Sequence, residues 1–251
     1  MFGGFFYGLQ MIDNTEILHS WKLADGNNIG LQKFSIEDAM KHFATFDAPV
    51  LHIGSKAEVL DTAGGKWRKL YKNKDFVGID LEEGDNVDYV FDITKGVSAL
   101  RKKTGIKQFS TIICPHVLEH VKNPFEVATN IEKLLKKGGR AIVSVPWVQG
   151  FHEFPDDYWR ISFAGLRQLF GNLDFELEYY SDAREEHAYQ MTYNGRVEHT
   201  VRTCRIERNL FQYTHCDMPI QNMFDDREGE KIQISSMYLP AMIVNIVGVK
   251  K

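Results

Sequence analysis

The stretch Pro49-Val50-Leu51-His52-Ile53-Gly54-Ser55 is a short apolar run that ends in a glycine, and it is the first of five such runs. Each run is rich in β-branched residues and closes on a polar residue or a turn former. Several runs are separated by stretches long enough for a helix. This alternation predicts βαβ units around a parallel sheet with both faces buried. The other four runs are 76–80, 87–92, 109–114 and 139–145.

The residue that closes each run is a candidate for function, because ligands of such sheets bind beyond the carboxyl ends of the strands. Gly54 lets the backbone approach a ligand, and Ser55 follows it in the turn. The pattern GxGxxG is not met, since the next glycines are Gly64 and Gly65. Asp80 closes the second run, where an acid can accept two hydrogen bonds from a ribose diol. A turn without a ligand and a helix cap are the alternative interpretations.

Composition places the chain among ordinary globular proteins: of 251 residues, 43% are hydrophobic and 25% are charged. That length supplies a full core for one large α/β domain. The net charge of −4, with both signs mixed along the chain, argues against a binder of duplex nucleic acid. No apolar stretch has the length of a membrane span, and residues 1–7 lack the features of a signal peptide. Three cysteines without metal-ligand spacing suit a reducing compartment, so a cytoplasmic location is expected.

Residues 1–46 precede the first run and are expected to form an N-terminal helical extension or lid, before a main domain over residues 47–251. Ser35-Ile36-Glu37-Asp38 resembles a capping box and predicts the start of a helix. That helix is expected either to close over the site or to pack on the sheet edge. A second helix is predicted from Asn123-Pro124 to the glycines at 138 and 139, and Pro146 is expected to end the fifth strand.

The segment His116-Val117-Leu118-Glu119-His120 matches H-x-x-E-H, a pattern in which a helix presents two zinc ligands on one face. It follows directly on a strand and on Pro115. A zinc peptidase is therefore one alternative, although the same residues lie inside a complete frame for binding a nucleotide-like cofactor.

The order and spacing of five pieces resemble a class I S-adenosylmethionine-dependent methyltransferase over residues 50–170. Residues 152–160 and 165–170 are further similar to a bacterial subgroup whose members are often linked to cell-surface saccharide or natural-product pathways. The pieces are Val50-Leu51-His52-Ile53-Gly54, Val77-Gly78-Ile79-Asp80, Val90-Phe91-Asp92-Ile93, Val117-Leu118-Glu119-His120-Val121 and Leu135-Lys136-Lys137-Gly138-Gly139.

The resemblance implies a Rossmann-like α/β fold: a seven-stranded, mostly parallel sheet with an antiparallel last strand and helices on both faces. Residues 47–251 are then the methyltransferase domain, with the sixth strand at 175–180 and the seventh at 241–249. The connection between them is unusually long, so residues 183–239 are expected to be an acceptor-specific insertion.

The resemblance also implies S-adenosylmethionine as the cofactor. Gly54 and Ser55 are expected near its methionine part, Asp80 on its ribose and Leu81 on its adenine face. The other expected cofactor-binding residues are His52 on the first strand, Asp92 and Ile93 at the adenine, and Cys114, Pro115 and His116 under the sulfonium. In this family His52 takes a place usually held by Asp or Glu, and Lys56 takes one where a second glycine is common.

Methyl transfer from a sulfonium is an in-line displacement, for which a protein supplies mainly alignment. A base is needed only when the acceptor must lose a proton, as a sugar hydroxyl must. His152 is the first candidate, followed by His116 and Asp157, because histidine titrates in the right range without special burial. The alternative is that His152 and Asp157 brace their loop with Arg160. Trp147, Tyr158 and Trp159 are candidates for stacking on a sugar or for the core.

We therefore expect methyl transfer to an oxygen of a small-molecule or saccharide acceptor, with no resident metal, no nucleic acid and no membrane span. A methyltransferase-like domain that binds without turnover is one alternative, for which His52 and Lys56 leave room. A nicotinamide-dependent oxidoreductase is another, disfavoured by the missing GxGxxG. The acceptor, the oligomeric state and the presence of a divalent ion near Glu119 and His120 stay open.

Overall fold

The computed structural model describes residues 17–22, 28–56, 67–152, 156–181, 187–193 and 242–251. Its strands are β1 (Ile17–Lys22), β2 (Asn28–Ser35), β3 (Val50–Ile53), β4 (Phe76–Asp80), β5 (Tyr89–Val90), β6 (Phe109–Pro115), β7 (Leu135–Val148), β8 (Leu173–Ser181), β9 (His187–Tyr193) and β10 (Met242–Lys250). Its α-helices are α1 (Ile36–Phe43), α2 (Trp67–Leu70), α3 (Val97–Thr104), α4 (Pro124–Leu134) and α5 (Phe163–Leu169). Ile93–Lys95 and Leu118–His120 form short 3₁₀ helices. No helix in these ranges is long and apolar enough to cross a membrane.

The seven predicted strands lie side by side in the order β5-β4-β3-β6-β7-β10-β8. Strands β3 to β7 are mutually parallel, whereas β10 pairs antiparallel with both of its neighbours. The predicted Rossmann-like sheet with an antiparallel last strand is confirmed. Because β3 to β7 run in one direction, their carboxyl ends meet at a single edge of the sheet.

Three further strands extend this sheet beyond β8, in the order β9, β2, β1, and each pairs antiparallel with the one before it. The description of residues 1–46 as helical is therefore wrong for β1 and β2 and correct for α1. Ser35 stands at the N-cap of α1, but its side chain makes no capping hydrogen bond. The lid role of residues 1–46 stays a prediction. Of the insertion at 183–239, only β9 lies within the described residues.

Helices cover both faces of the sheet, as predicted, because side chains alternate between the faces along each strand. Leu51 and Ile53 face a core formed with α3, α4 and α5, whereas Val50 faces a second core formed with α1 and α2. Strand β6 follows the same rule, with Ile112 and Cys114 in the first core and Ile113 in the second. The two layers fix the sheet edge rigidly from both sides.

Helix α4 begins as predicted, since the Asn123 side chain caps it by accepting the Glu126 N–H (3.3 Å) and Pro124 fills the first turn. It ends at Leu134, and β7 begins at the next residue. The expectation that Pro146 ends the fifth strand is wrong, because β7 runs on to Val148. A register shift in β10 between Met242 and Ile243 accommodates the proline, which cannot donate to the ladder.

Candidate active site

The carboxyl edge of the parallel strands carries four of the predicted site residues, each at or just beyond the end of a strand. Gly54 follows β3, Asp80 ends β4, Asp92 follows β5 and His116 follows β6. Gly54 lies between its two neighbouring strands: its N–H donates to the Ile79 carbonyl (2.9 Å) next to the end of β4, and a side chain on it would meet residues just beyond β6.

Gly54 has a left-handed backbone with φ = +77°, which favours glycine. A Cβ atom at this position would lie 2.5 Å from Cγ2 of Val117. The turn therefore combines a backbone conformation with a close approach that only glycine satisfies. Gly78 is equally constrained, since its Cβ would lie 2.1 Å from the Asn86 carbonyl and 2.7 Å from Oγ of Ser55.

The Asp80 carboxylate joins the glycine turn to the loop after β4. Its Oδ2 accepts the Lys56 N–H (2.9 Å) and its Oδ1 accepts the Glu82 N–H (3.3 Å). The side chains of Lys56 and Glu82 also form an ion pair across these two loops. Leu81, next in the chain, has 68% of its surface exposed. The rim therefore presents a fixed carboxylate beside an exposed apolar side chain.

Asp92 caps the short 3₁₀ helix that follows it. Its Oδ1 accepts the N–H (2.9 Å) and the hydroxyl (2.7 Å) of Thr94. Ile93 is buried in the core, and its carbonyl accepts Nδ2 of the buried Asn130 (2.9 Å). Of these two residues expected at the adenine, Ile93 can therefore contact a bound molecule only through its main chain.

Three of the expected cofactor residues are buried at or near the strand ends. His52 is 2% exposed, with its ring edge-on to Phe76, and Cys114 lies in the core. Ser55 is fully buried, and its hydroxyl has no hydrogen-bond partner within the described ranges. An unpartnered buried hydroxyl beside a glycine turn and a rim carboxylate fits a small polar ligand of the adenosyl type. The individual roles of these residues stay predictions.

Two histidine–carboxylate pairs stand on the other half of this edge. His116, with φ = +49°, places its Nδ1 3.1 Å from Oε1 of the fully buried Glu119. His152 places its Nδ1 3.2 Å from Oδ2 of Asp157, which also accepts the His152 N–H (2.8 Å). A carboxylate at Nδ1 orients the imidazole and fixes its tautomer.

Arg160 holds Asp157 from the other side through two hydrogen bonds of 2.5 and 2.7 Å. It also donates to the carbonyls of Gln149 (3.1 Å) and Gly150 (3.0 Å), so the guanidinium ties residues 149–150 to 157–160. The guanidinium holds the pKa of Asp157 well below its usual range, and Asp157 in turn raises the pKa of Arg160. Asp157 therefore stays ionised and serves to orient His152.

His120 is linked to the same loop, because its Nδ1 lies 2.6 Å from the Asp156 carbonyl and its ring packs edge-on to that of His152, with centroids 4.9 Å apart. His116 precedes the 3₁₀ helix that contains His120, so the two do not share a helical face. The zinc-peptidase pattern is thus present in the sequence but not in the fold, since it requires both histidines on one α-helix.

Four partly exposed aromatic residues lie in the two segments that carry His152 and Asp157, and we call them the aromatic rim: Trp147, Phe151, Tyr158 and Trp159. The Trp147 ring stacks on that of Tyr180, with centroids 5.5 Å apart. The Tyr158 N–H donates to the Glu119 carbonyl (2.7 Å) and the Trp159 indole donates to the Val121 carbonyl (2.8 Å). Sequence reasoning singled out three of the four and missed Phe151, which no motif marks. It also missed Glu119 as the partner of His116, because a glutamate in a polar segment carries no signal of burial.

Comparisons with known proteins give one family match and several structural neighbours. A family model described as a methyltransferase domain matches residues 35–199. No curated protein sequence matches the chain. Among solved structures, the N-methyltransferase NodS from Bradyrhizobium japonicum WM9, in complex with S-adenosyl-L-homocysteine, is 14% identical with a TM-score of 0.43, covering 62% of this chain and 82% of that one. The 1,6-didemethyltoxoflavin-N1-methyltransferase from Burkholderia thailandensis is 13% identical with a TM-score of 0.43, covering 61% and 73%.

The family match spans well over half of the chain and includes the whole carboxyl edge from Gly54 to Arg160. The methyltransferase interpretation of the sequence is confirmed, and the nicotinamide and zinc-peptidase alternatives are set aside. The chain belongs to the methyltransferase-domain family and is an S-adenosylmethionine-dependent methyltransferase.

Proposed function

We propose that this enzyme methylates a hydroxyl oxygen of a small-molecule or saccharide acceptor. The observation that carries the proposal is the pair of histidine–carboxylate contacts, His116–Glu119 and His152–Asp157, at the edge that also holds Gly54 and Asp80. An amine or thiolate nucleophile attacks without such a base, whereas a hydroxyl must lose its proton. Two oriented imidazoles therefore favour an oxygen acceptor.

The cofactor half of the site is formed by Gly54, Ser55, Asp80, Leu81 and Asp92. When bound, S-adenosylmethionine supplies an electrophilic methyl group, and the electron pair of the broken S–C bond stays on sulfur as the acceptor's O–C bond forms. In this proposal the carboxylate of Asp80 accepts hydrogen bonds from the ribose, and the exposed Leu81 packs on the adenine. In this proposal Gly54 and Ser55 lie next to the methionine part of the donor.

The acceptor half supplies the base. A carboxylate can only accept, so Nδ1 of each histidine carries the hydrogen and Nε2 carries the lone pair. Nε2 of His116 or His152 takes the proton of the acceptor hydroxyl as its oxygen attacks. Asp157 is the weakest of the three sequence candidates, because Arg160 occupies both of its carboxylate oxygens. We assign Asp157 a positioning role.

The aromatic rim supports an acceptor with a ring, since exposed aromatic faces stack on sugars and on planar rings. We further propose that residues 183–239 form the acceptor-specific element and that residues 1–46 close over the site. The absence of a nucleic-acid partner and the cytoplasmic location rest on composition alone and stay predictions.

The test is transfer of a labelled methyl group from S-adenosylmethionine to a panel of paired acceptors, each offered as its hydroxyl and its amino form. We expect O-methylated products from hydroxyl acceptors. We also expect His116→Gln or His152→Gln to lower turnover by about 100-fold or more, the scale of general base catalysis. With acidic hydroxyls such as nitrophenols, the turnover of these variants should fall less, because such acceptors ionise without a base.

Methylation of the amino forms alone would contradict the oxygen assignment. Equal losses on acidic and ordinary hydroxyls would contradict the base. Calorimetry of the His152→Gln variant with S-adenosylmethionine serves as the control, since this substitution is not expected to change cofactor affinity.

A further inference from the structure

Glu119, His120 and His152 come together beyond the ends of β6 and β7. One possible ligand atom from each residue lies within 4.8 Å of the other two. We propose that these three side chains bind one divalent transition-metal ion, and we call them the ion cluster. The first two belong to the 3₁₀ helix Leu118–His120, and the third follows β7.

The carboxylate of Glu119 is the central observation. The side chain is fully buried, and Oε1 contacts His116, whereas Oε2 is buried with no hydrogen-bond partner in the part of the chain that the structure describes. A buried carboxylate oxygen without a partner costs free energy of the order of 1–3 kcal/mol or more. A cation coordinated at this oxygen removes that cost.

The two imidazoles have the tautomers that a metal requires. His120 Nδ1 faces the Asp156 carbonyl (2.6 Å), which can only accept, so Nδ1 carries the hydrogen and Nε2 carries the lone pair. His152 Nδ1 faces Asp157 (3.2 Å), which has the same consequence. A metal-binding histidine typically donates its second ring nitrogen to a carbonyl or carboxylate in this way.

The distances and donors indicate the class of ion. His120 Nε2 lies 3.9 Å from Oε1 of Glu119, the oxygen that also contacts His116, and Oε2 belongs to the same carboxylate. Two atoms that each lie about 2.1 Å from one ion are separated by about 3–4 Å, so the carboxylate is within reach of an ion held by His120. Two imidazoles and one carboxylate suit zinc, manganese, iron or cobalt in the divalent state, rather than magnesium or calcium, which prefer all-oxygen sites. Both histidines are partly exposed, so an ion can enter from solvent.

The groups around the ion cluster are compatible with a cation. The Asp157 carboxylate lies behind His152 and the Asp156 carbonyl lies behind His120, while the guanidinium of Arg160, which also interacts with Glu119, is paired with Asp157. Three protein ligands leave coordination positions open for water or a substrate oxygen. This role rests on the proposed oxygen acceptor: an ion here lowers the pKa of a hydroxyl bound to it. Because His152 then binds the ion, His116 is the base that remains.

The test is ion binding by the full chain after treatment with a chelator. Titration with Co²⁺ is followed by its visible absorption, and Zn²⁺ is added in competition. We expect one Co²⁺ per chain and displacement by Zn²⁺. His120→Asn and His152→Asn should each weaken Co²⁺ binding by more than the roughly 10–100-fold that follows loss of an outer hydrogen-bond partner.

His42→Asn is the matched control, because it removes a partly buried histidine on α1 that lies outside the ion cluster. Glu119→Gln is measured as well, and the two histidine variants keep the test valid if that buried substitution prevents folding. The proposal is overturned if the chain binds neither Co²⁺ nor Zn²⁺ at about 0.1 mM, a concentration far above the dissociation constant of a specific site. The proposal is also overturned if Co²⁺ binds and neither histidine substitution weakens that binding. If the unsubstituted chain transfers methyl groups but binds no ion, the ion cluster alone is contradicted. If it binds the ion but gives no O-methylated product, the oxygen acceptor alone is contradicted.

Discussion

The two halves of the carboxyl edge are held together by different kinds of interaction. The cofactor side (residues 54–56, 80–82 and 92–93) is held mainly by main-chain groups: the N–H groups of Gly54 and Ser55 donate to Ile79, and that of Lys56 donates to Asp80. The acceptor side (residues 116–121, 147–152 and 156–160) is held mainly by side chains that join segments far apart in sequence.

Trp159 illustrates the second kind of construction, since its indole N–H donates to the Val121 carbonyl, 38 residues earlier in the chain. The guanidinium of Arg160 then joins Asp157 to the carbonyls of Gln149 and Gly150. A turn held by main-chain groups tolerates few substitutions at its glycine, but most of its hydrogen bonds use groups that every residue carries. An arrangement held by side chains can be changed by substituting one residue at a time. If the proposed function is right, acceptor specificity is expected to depend on the acceptor side. The contrast also explains why the cofactor side is the easier of the two to predict from sequence.

The largest effect is expected from Gly54→Ala, which attacks the cofactor side at its backbone. A left-handed alanine costs about 1–2 kcal/mol, and overpacking against Val117 adds about 1–3 kcal/mol. We expect the free energy of unfolding to fall by about 2–5 kcal/mol and cofactor binding to be lost. Chemical denaturation and calorimetry with S-adenosylmethionine measure the two effects.

Gly105→Ala is the control for this substitution. Gly105 has a similar φ of +72°, but its added Cβ would meet no heavy atom within 4 Å. It should show the backbone cost of about 1–2 kcal/mol without the packing cost and with cofactor affinity unchanged. Adding Val117→Ala to Gly54→Ala should restore part of the stability. Equal losses from Gly54→Ala and Gly105→Ala would show that close approach is unimportant.

The same contrast explains how much the sequence could predict. Gly54, Asp80 and Asp92 were predicted to share one edge because each closes an apolar run, and parallel strands deliver such residues together. The structure places them there. The expected seven strands also followed from apolar runs, whereas β1 and β2 lie in polar, weakly patterned sequence that gives no such signal.

The acceptor side could be predicted only as a list of candidates. His120 and His152 are separated by the whole of α4 and β7, so no spacing rule brings their rings together. The burial of Glu119 depends on the loop from Tyr158 onwards, which donates to its carbonyl. The run of β7 through Pro146 depends on a register shift in β10, some hundred residues later. Such long-range pairing is set by packing and has no local signature.

A smaller effect is expected from Asp80→Asn, which removes charge from the cofactor side without changing its shape. A charge-assisted hydrogen bond contributes about 1.5–3 kcal/mol, so affinity for S-adenosylmethionine should fall by about tenfold or more. Calorimetry gives the affinity, and the KM for the acceptor should not change. Glu83→Gln, an exposed acid three residues further on, is the control. Unchanged cofactor affinity in Asp80→Asn would remove this carboxylate from the site.

The smallest effect is expected from Phe151→Ala, which tests the acceptor side at its most exposed aromatic residue. Phe151 is 65% exposed beside His152, so its truncation removes a stacking surface and little of the core. A ring stacked on this face is stabilised by about 0.5–1.5 kcal/mol, which predicts an acceptor KM that is raised a few-fold with cofactor affinity unchanged. Leu81→Ala should instead lower the affinity for the cofactor and leave the acceptor KM unchanged, because that exposed side chain lies beside Asp80. If both substitutions weaken the same ligand, the two sides share one binding surface and the division between them is wrong.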